Sequence, residues 1–140
     1  MKFSVNQQDL QKSLGYCQGV IEKRSTLPIL SNILIEAANS KLKITATDLD
    51  LIFVNEISNI KIFDEGKTTT SSSIMFDIVR KIPSGSQINF ENTGDSKLQL
   101  ESNKSLFNLN SINASEFPIT DENFNENEFT INSKDLLKLL

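Results

Sequence analysis

The stretch that decides the fold is KFSVNQQDLQKSL, residues 2–14, because residues 128–140, EFTINSKDLLKLL, repeat its pattern. The two stretches align without a gap and share six of their thirteen residues. The shared pairs are Phe3/Phe129, Asn6/Asn132, Asp9/Asp135, Leu10/Leu136, Lys12/Lys138 and Leu14/Leu140. Self-similarity at a fixed offset is typical of a duplicated architecture. We therefore expect residues 128–140 to begin a second copy of the unit that starts at residue 2.

The first copy has the pattern of a strand followed by a capped helix. Residues 2–5 are predicted to form the strand, and Asn6 is a good N-cap because its side chain can accept a hydrogen bond from a free amide. The apolar residues that follow stand at i, i+4, i+7 and i+11, which is one face of a helix. They are Leu10, Leu14, Cys17 and Ile21.

The rest of the chain contains a run of strands and then a second strand-helix start. Apolar alternation predicts strands at residues 33–35, 42–47, 51–57 and 59–63, which we expect to form one antiparallel meander. Thr68 to Thr70 favour another strand, and Ser71 to Ser73 offer caps for a helix with apolar residues at Met75, Ile78, Val79 and Ile82. Three more strands are predicted at residues 87–91, 97–101 and 105–110. The pattern indicates an α+β fold with an internal two-fold repeat of strand, helix and strands.

Size and composition are typical of one globular domain. A chain of 140 residues suits a single core, here predicted over residues 1–120. The polar, acidic residues 121–127 are predicted to form a linker, and residues 128–140 are predicted to begin a second domain. No apolar run approaches the roughly 18 residues that span a bilayer. The N-terminus lacks the apolar region of a secretion signal, and the single cysteine suits the cytoplasm.

The search for catalytic chemistry finds little. The chain has no histidine, which excludes Ser-His and Cys-His nucleophile pairs and metal sites that contain histidine. Asp48 and Asp50 could coordinate a hard cation or act as the catalytic carboxylates of a hydrolase, but a turn stabilised by aspartate is the favoured interpretation. There is no glycine-rich phosphate loop, and Cys17 stands on an apolar helix face. We expect no catalytic residue, no metal and no cofactor.

The polar faces of the two predicted helices carry amides and basic residues. The first helix has Gln8, Gln11 and Lys12, with Lys23 and Arg24 beyond its end. The second has Arg80 and Lys81, with Asp77 as its acid. The net charge of −4 argues against a nucleic-acid partner, but net charge does not fix where the charges lie. If both helices pack on the same side of the sheets, they form one modestly basic, glutamine-bearing surface. A solvated helical surface without a ligand is the alternative.

Five short motifs give the chain a resemblance to a known family. They are MKFSV at residues 1–5, RSTLPIL at 24–30, ATDL at 46–49, FDIVR at 76–80 and ASEFP at 114–118. In these motifs, and over nearly all of its length, the chain resembles the bacterial β sliding clamp, the processivity subunit of DNA polymerase III.

The resemblance implies a ring around double-stranded DNA. Clamps of this family have three similar domains, and two subunits join head to tail into a ring of six domains. Helices line the hole, and sheets form the outer wall. The ring holds DNA without reading its sequence and without catalysis. The resemblance also implies that the chain is an N-terminal part of a cytoplasmic protein, which binds DNA polymerase III and the clamp loader through later domains.

The resemblance also assigns residues. Arg24 matches a DNA-contacting arginine of the family, and Lys12 and Arg80 match basic positions on the lining helices. Ser73 and Ile74 stand where relatives often carry an Arg-Lys pair, at a DNA-contacting and a subunit-interface position respectively. Three residues are expected on the edge strand that forms the dimer interface: Lys104, Phe107 and Leu109. Leu106 and Ser96 indicate a more apolar contact than in relatives with more arginine.

Two readings compete with the clamp. The first is an α+β interaction domain that has no role on DNA and whose repeats only reflect duplication. The second is a hydrolase that uses Asp48 and Asp50.

Overall fold

A computed structural model describes residues 1–21, 26–94, 96–119 and 130–140. Within these residues the chain forms nine strands, three α-helices and two short 3₁₀ turns. The strands are β1 (Lys2–Asn6), β2 (Asn32–Ala38), β3 (Lys41–Thr47), β4 (Ile52–Ile57), β5 (Lys61–Asp64), β6 (Gly66–Ser71), β7 (Gln87–Asn92), β8 (Lys97–Ser102) and β9 (Ser105–Asn110). The helices are α1 (Gln7–Cys17), α2 (Ser72–Val79) and α3 (Ser133–Leu139).

The strands form two antiparallel sheets that exchange their first strands. One sheet has the order β5-β1-β7-β8-β9, and the other has the order β4-β3-β2-β6. The unit β1-α1-β2-β3-β4 is therefore repeated as β6-α2-β7-β8-β9, which confirms the predicted α+β fold with its internal repeat. Because β1 pairs with β7 and β6 pairs with β2, each half supplies a strand to the sheet of the other half. The exchange joins the two halves into one folding unit.

The prediction that β5 completes the meander of β2, β3 and β4 is wrong. β5 crosses to the other sheet and pairs with β1, with Phe3 opposite Ile62. This pairing packs Ile62 against the main hydrophobic core, in which Phe3 is fully buried. The alternation of apolar and polar residues along a strand indicates which face is buried, but it does not indicate which strand lies beside it.

The helix starts follow the repeated sequence. The side chain of Asn6 accepts a hydrogen bond from the backbone N–H of Gln8 at 2.9 Å, and that of Asn132 accepts one from Lys134 at 3.0 Å. The cap predicted at Asn6 is thus confirmed, and α3 begins in the same way as α1. No strand is formed at residues 130–132, and the preceding residues 128 and 129 lie outside the described part of the chain.

One hydrophobic core joins both sheets and helices α1 and α2. The rings of Phe3 and Phe90 stack at its centre with centroids 4.8 Å apart. The predicted helical faces are confirmed, because their apolar residues are buried. They are Leu10, Leu14, Cys17 and Ile21 on α1 and the turn after it, and Met75 and Val79 on α2, with Ile82 beyond it and Ile78 half-buried. Burying each large apolar side chain contributes about 1.5–3 kcal/mol.

A segment after β9, residues 111–119, lies across the second sheet and is called the strap here. Ala114 and Phe117 of the strap pack on Leu34 in a small separate apolar cluster. The hydroxyl of Thr69 on β6 donates to the carbonyl oxygen of Ile112 at 2.7 Å and accepts from its N–H at 3.2 Å. The strap therefore fixes the path of the chain up to residue 119. The predicted linker at residues 121–127 lies outside the described residues.

Candidate nucleic-acid interface

Helices α1 and α2 lie side by side and run in opposite directions. Gln7, at the start of α1, donates from its side-chain amide to the carbonyl oxygen of Val79, at the end of α2. Gln18, just past the end of α1, donates to the hydroxyl of Ser72, at the start of α2. These bonds, of 2.8 Å each, join the helices at both ends. The two helices therefore share one continuous outer surface, as the predicted polar surface requires.

The side chains on the outer side of the pair are polar and nearly neutral. Gln8, Lys12 and Tyr16 project from α1, where all three are exposed. Arg80, just past α2, forms an ion pair with Asp77 at 3.0 Å, so much of its positive charge is compensated. Lys12 forms no ion pair with any residue that the structure describes. Among the described residues, Lys12 on α1 therefore carries an uncompensated positive charge, as does the exposed Lys81 just past α2.

Two further DNA contacts were predicted, at Ser73 and Arg24, and the structure describes only Ser73. Ser73 is exposed on the first turn of α2, with its hydroxyl 3.5 Å from that of the capping residue Ser71. Arg24 falls in residues 22–25, outside the described residues, and the structure does not test it.

Acidic residues flank the polar surface on the β4 side. Asp9 and Glu56 line a cavity of about 470 Å³ that also contacts Lys12 and Tyr16. A hydrogen bond from Lys41, 2.7 Å long, lowers the pKa of Glu56, which therefore remains ionised and paired. A polyanion on the helix pair would favour the side of Lys12 that is away from Asp9.

The predicted interface residues lie near one another at the free edge of the first sheet. β9 is an outer strand, and Ile74 of α2 is 54% exposed beside it. Lys104 lies in the two-residue turn between Ser102 and Ser105, as the predicted strand at residues 105–110 requires, and not on the edge strand where the resemblance placed it. Leu109 is only 6% exposed, so its side chain faces the core and not a partner.

A cavity of about 420 Å³ lies next to this edge. Ile74, Ile78, Ile82 and Phe107 give it an apolar lining, with Asp77 and Lys81 among its charged residues. Ile78 and Ile82 were predicted only as one face of a helix, and no local pattern indicates that α2 and the β8–β9 turn enclose a cavity. Leu106 is 57% exposed and takes the outward position on β9 that the prediction gave to Leu109.

The backbone of β9 is also partly open. Ser111 donates to the carbonyl oxygen of Ser96, which continues the ladder with β8. Bonded pairs alternate in an antiparallel ladder, so Phe107 and Leu109 bond to β8 while the N–H and C=O groups of Leu106 and Asn108 point away. At the end of the strand, the hydroxyl of Thr70 donates to the outward carbonyl oxygen of Asn110 at 3.0 Å. The open part of the edge is thus centred on Leu106 and Asn108.

The groups considered for catalysis have structural roles. The carboxylate of Asp48 accepts hydrogen bonds from the N–H groups of Asp50 and Leu51, at 3.0 and 2.7 Å, which confirms the turn interpretation. Burial raises the pKa of the Cys17 thiol to about 12, so the thiol is protonated and unreactive at neutral pH. Across the described ranges, no group of three or more histidine, cysteine or acidic residues could hold a metal ion. Those ranges also contain no helix long and apolar enough to cross a membrane.

Comparisons with known proteins agree on one family. Residues 1–121 match the model for the DNA polymerase III beta subunit, N-terminal domain. The chain is 33% identical over 141 residues to the beta sliding clamp of Caulobacter vibrioides (strain NA1000 / CB15N) and 34% identical over 140 residues to that of Escherichia coli (strain K12). Each match covers 100% of this chain and 38% of the relative, so the chain spans little more than a third of their length.

The fold gives the same result. The chain superposes on the crystal structure of the Caulobacter crescentus beta sliding clamp with a TM-score of 0.84 and 36% sequence identity, over 88% of this chain and 33% of that one. Sequence and fold together show that the chain belongs to the bacterial DNA polymerase III beta subunit family and matches its N-terminal domain.

Proposed function

We propose that this chain is the first domain of a sliding clamp, which encircles duplex DNA and tethers DNA polymerase III for processive synthesis. The observation that carries the proposal is that the paired helices lie between two of the outer strands, β4 and β9. Asn55 of β4 donates to the hydroxyl of Ser13 on α1, and Ile74 of α2 lines one cavity with Phe107 of β9. Such a domain can join a neighbour at each edge while the helices face a central hole. The family membership described above supports this reading over an interaction domain without a DNA role.

The contact with DNA is weak and independent of sequence. Lys12 and the amides of Gln8 and Gln11 meet phosphates, with Arg24, Arg80 and Ser73 as further contacts. Because Arg80 is paired with Asp77, its contribution is reduced. Each phosphate neutralised on a duplex adds about 0.9 to the slope of log affinity against log salt, so Lys12 and Arg24 together contribute a slope of only about two. Retention on DNA then depends on closure of the ring.

The subunit contact uses the edge of β9. A second copy of the full-length protein adds a strand at Leu106 and Asn108, and one of its apolar side chains enters the cavity lined by Ile74 and Phe107. Lys104 supplies a positive charge at the rim. The β4 edge serves the next domain of the same subunit. Since two different surfaces meet, the dimer is head to tail and the ring closes by symmetry.

The domain itself serves as a non-catalytic part of the clamp. It catalyses no reaction and needs no cofactor or metal, because the candidate groups at Asp48 and Cys17 are committed to a turn and to the core. DNA polymerase III and the clamp loader bind domains of the full-length protein outside this chain. The protein acts in the cytoplasm.

The test uses the full-length protein and its clamp loader. The protein is loaded onto a nicked circular plasmid, half of the sample is then linearised, and the bound protein is counted after gel filtration. Retention on circles with escape from linear DNA is the expected result, because only a closed ring slides off free ends. Equal retention on both forms would indicate ordinary binding and refute the clamp.

A further inference from the structure

A groove of about 600 Å³ runs between α1 and α2 on the same outer surface. The rings of Tyr16 and Phe76 form its apolar walls, and the side chains of Gln11 and Lys12 lie along it. Gly15 lies between these residues, and a Cβ atom there would stand 3.9 Å from the Phe76 ring. A larger side chain at this position would extend over the groove. Glycine inside a helix is less stable than alanine, so the helix is weaker at the position that leaves the groove open.

Tyr16 is held in place although it is exposed. Its ring packs against Phe53 with centroids 5.9 Å apart and planes tilted by 56°. About half of the side chain remains accessible, at 53% exposure. A fixed and accessible aromatic face can stack on a planar group without losing much side-chain freedom.

The charge of the groove suits a phosphate next to that planar group. Lys12 lines the groove and is not paired within the described residues. Asp9 lines the neighbouring cavity and not the groove. Aromatic faces combined with a cation and amide donors are the features of sites for unpaired nucleic acid. We propose that this groove binds a single strand of DNA, with a base stacked on Tyr16 and its phosphate on Lys12. The inference rests on the proposed function for DNA as the partner.

A single strand fits these residues better than a duplex. Paired bases stack on one another and leave only sugars and phosphates to a helix surface, so Tyr16 would have no base to contact. One free cation also gives a duplex little affinity. A clamp near the end of a primer has both kinds of DNA in reach, and this groove would hold the unpaired template strand.

The composition of the chain provides a direct assay. Tyr16 is the only tyrosine, and there is no tryptophan, so the intrinsic emission of the 140-residue chain reports this residue alone. Oligothymidylate of about ten nucleotides, within the usual site size, is titrated at low salt against a duplex of equal length. We expect saturable quenching by the single strand and none by the duplex.

Substitutions then test the assignment through the anisotropy of a labelled oligonucleotide. Tyr16→Ala should weaken binding about fivefold or more, because one stacked base contributes at least about 1 kcal/mol, while Tyr16→Phe should retain the affinity. Lys12→Ala should weaken binding, and the matched change Lys97→Ala, on β8 away from the groove, should not. Asp9→Asn should strengthen binding slightly by removing a nearby negative charge.

Equal quenching by duplex and single strand, or unchanged affinity in Tyr16→Ala, would overturn the proposal. These measurements do not depend on ring closure. If the full-length protein passes the plasmid test but the 140-residue chain shows no quenching, the groove is refuted and the clamp stands. If the 140-residue chain shows selective quenching but the full-length protein is retained equally on circles and linear DNA, the clamp alone is refuted.

Discussion

Replacing Thr69 with valine should destabilise the protein by about 2–3 kcal/mol, because one buried hydroxyl serves three polar groups. The hydroxyl donates to the carbonyl oxygen of Ile112 at 2.7 Å. It accepts hydrogen bonds from the N–H of Ile112 and from the side-chain amide of Asn32, each at 3.2 Å. It therefore joins the strap to β6 and β2.

The magnitude follows from the burial of the groups that lose their partner. Valine has almost the shape of threonine, so the substitution leaves no cavity. A buried polar group without a partner costs about 1–3 kcal/mol. The amide of Asn32, whose side chain is 6% exposed, bears this cost in full, whereas the half-buried groups of Ile112 recover part of it from water. The sum is about 2–3 kcal/mol, all of it from desolvation.

Urea unfolding followed by circular dichroism measures the effect. With a slope of about 2 kcal/mol per molar urea, the midpoint should fall by about 1–1.5 M. Thr45→Val is the matched control, since Thr45 is a buried threonine on β3 whose hydroxyl has no hydrogen bond to described residues. Thr45→Val should leave the midpoint nearly unchanged. Equal shifts for both variants would refute the argument that hydrogen bonds of Thr69 hold the strap.

Three further outcomes are expected. Cys17 should resist alkylation in the folded protein and react after unfolding, and because its pKa is raised from 9.0 to about 12, stability should fall as the pH rises above about 9. Asp77→Asn should strengthen binding of the full-length protein to short linear duplex at low salt by freeing Arg80, and an unchanged affinity would contradict the role of that ion pair. Leu106→Glu should raise the subunit dissociation constant of the full-length protein about tenfold or more in sedimentation, because it buries a charge at the β9 edge. Phe63→Glu, at an exposed position on β5, is the control and should leave the constant nearly unchanged.

The sequence predicted the local elements well because local rules determine them. The cap at Asn6 and the apolar face of α1 depend on residues within a few positions of each other, and both are confirmed. The repeat was visible for the same reason, as a recurrence of local patterns. The exchange of β1 and β6 between the sheets and the transfer of β5 could not be predicted, because pairing depends on which distant strand completes the core.

The candidate site was predictable in outline but not in its charges. The outward position of Lys12 follows from helical periodicity, and the side-by-side packing of α1 and α2 makes the predicted surface continuous. The compensation of Arg80 by Asp77 depends on side-chain conformation at an i, i+3 spacing. Alternation along β9 put Phe107 and Leu109 on one apolar face, and the burial of Leu109 agrees with it. The interface role of Leu109 came from the resemblance alone, and the exposed Leu106 is the apolar residue of β9 that faces outward.

Each half of the domain ends in an outer strand that exposes apolar residues, although the residues differ between the halves. β4 carries half-exposed Ile52 and Val54, preceded by the exposed Leu51, and β9 carries the exposed Leu106. Apolar edge strands favour pairing with another strand, and a protein that left two of them open would tend to aggregate. Edges at both ends of one domain are useful when neighbours cover both, as in a ring. The helix pair between them has little net charge, so in the proposed clamp it would lie next to DNA without binding it tightly. In the ring that we propose, strong contacts at the edges would keep the ring closed, and a weakly binding inner surface would let it move along DNA.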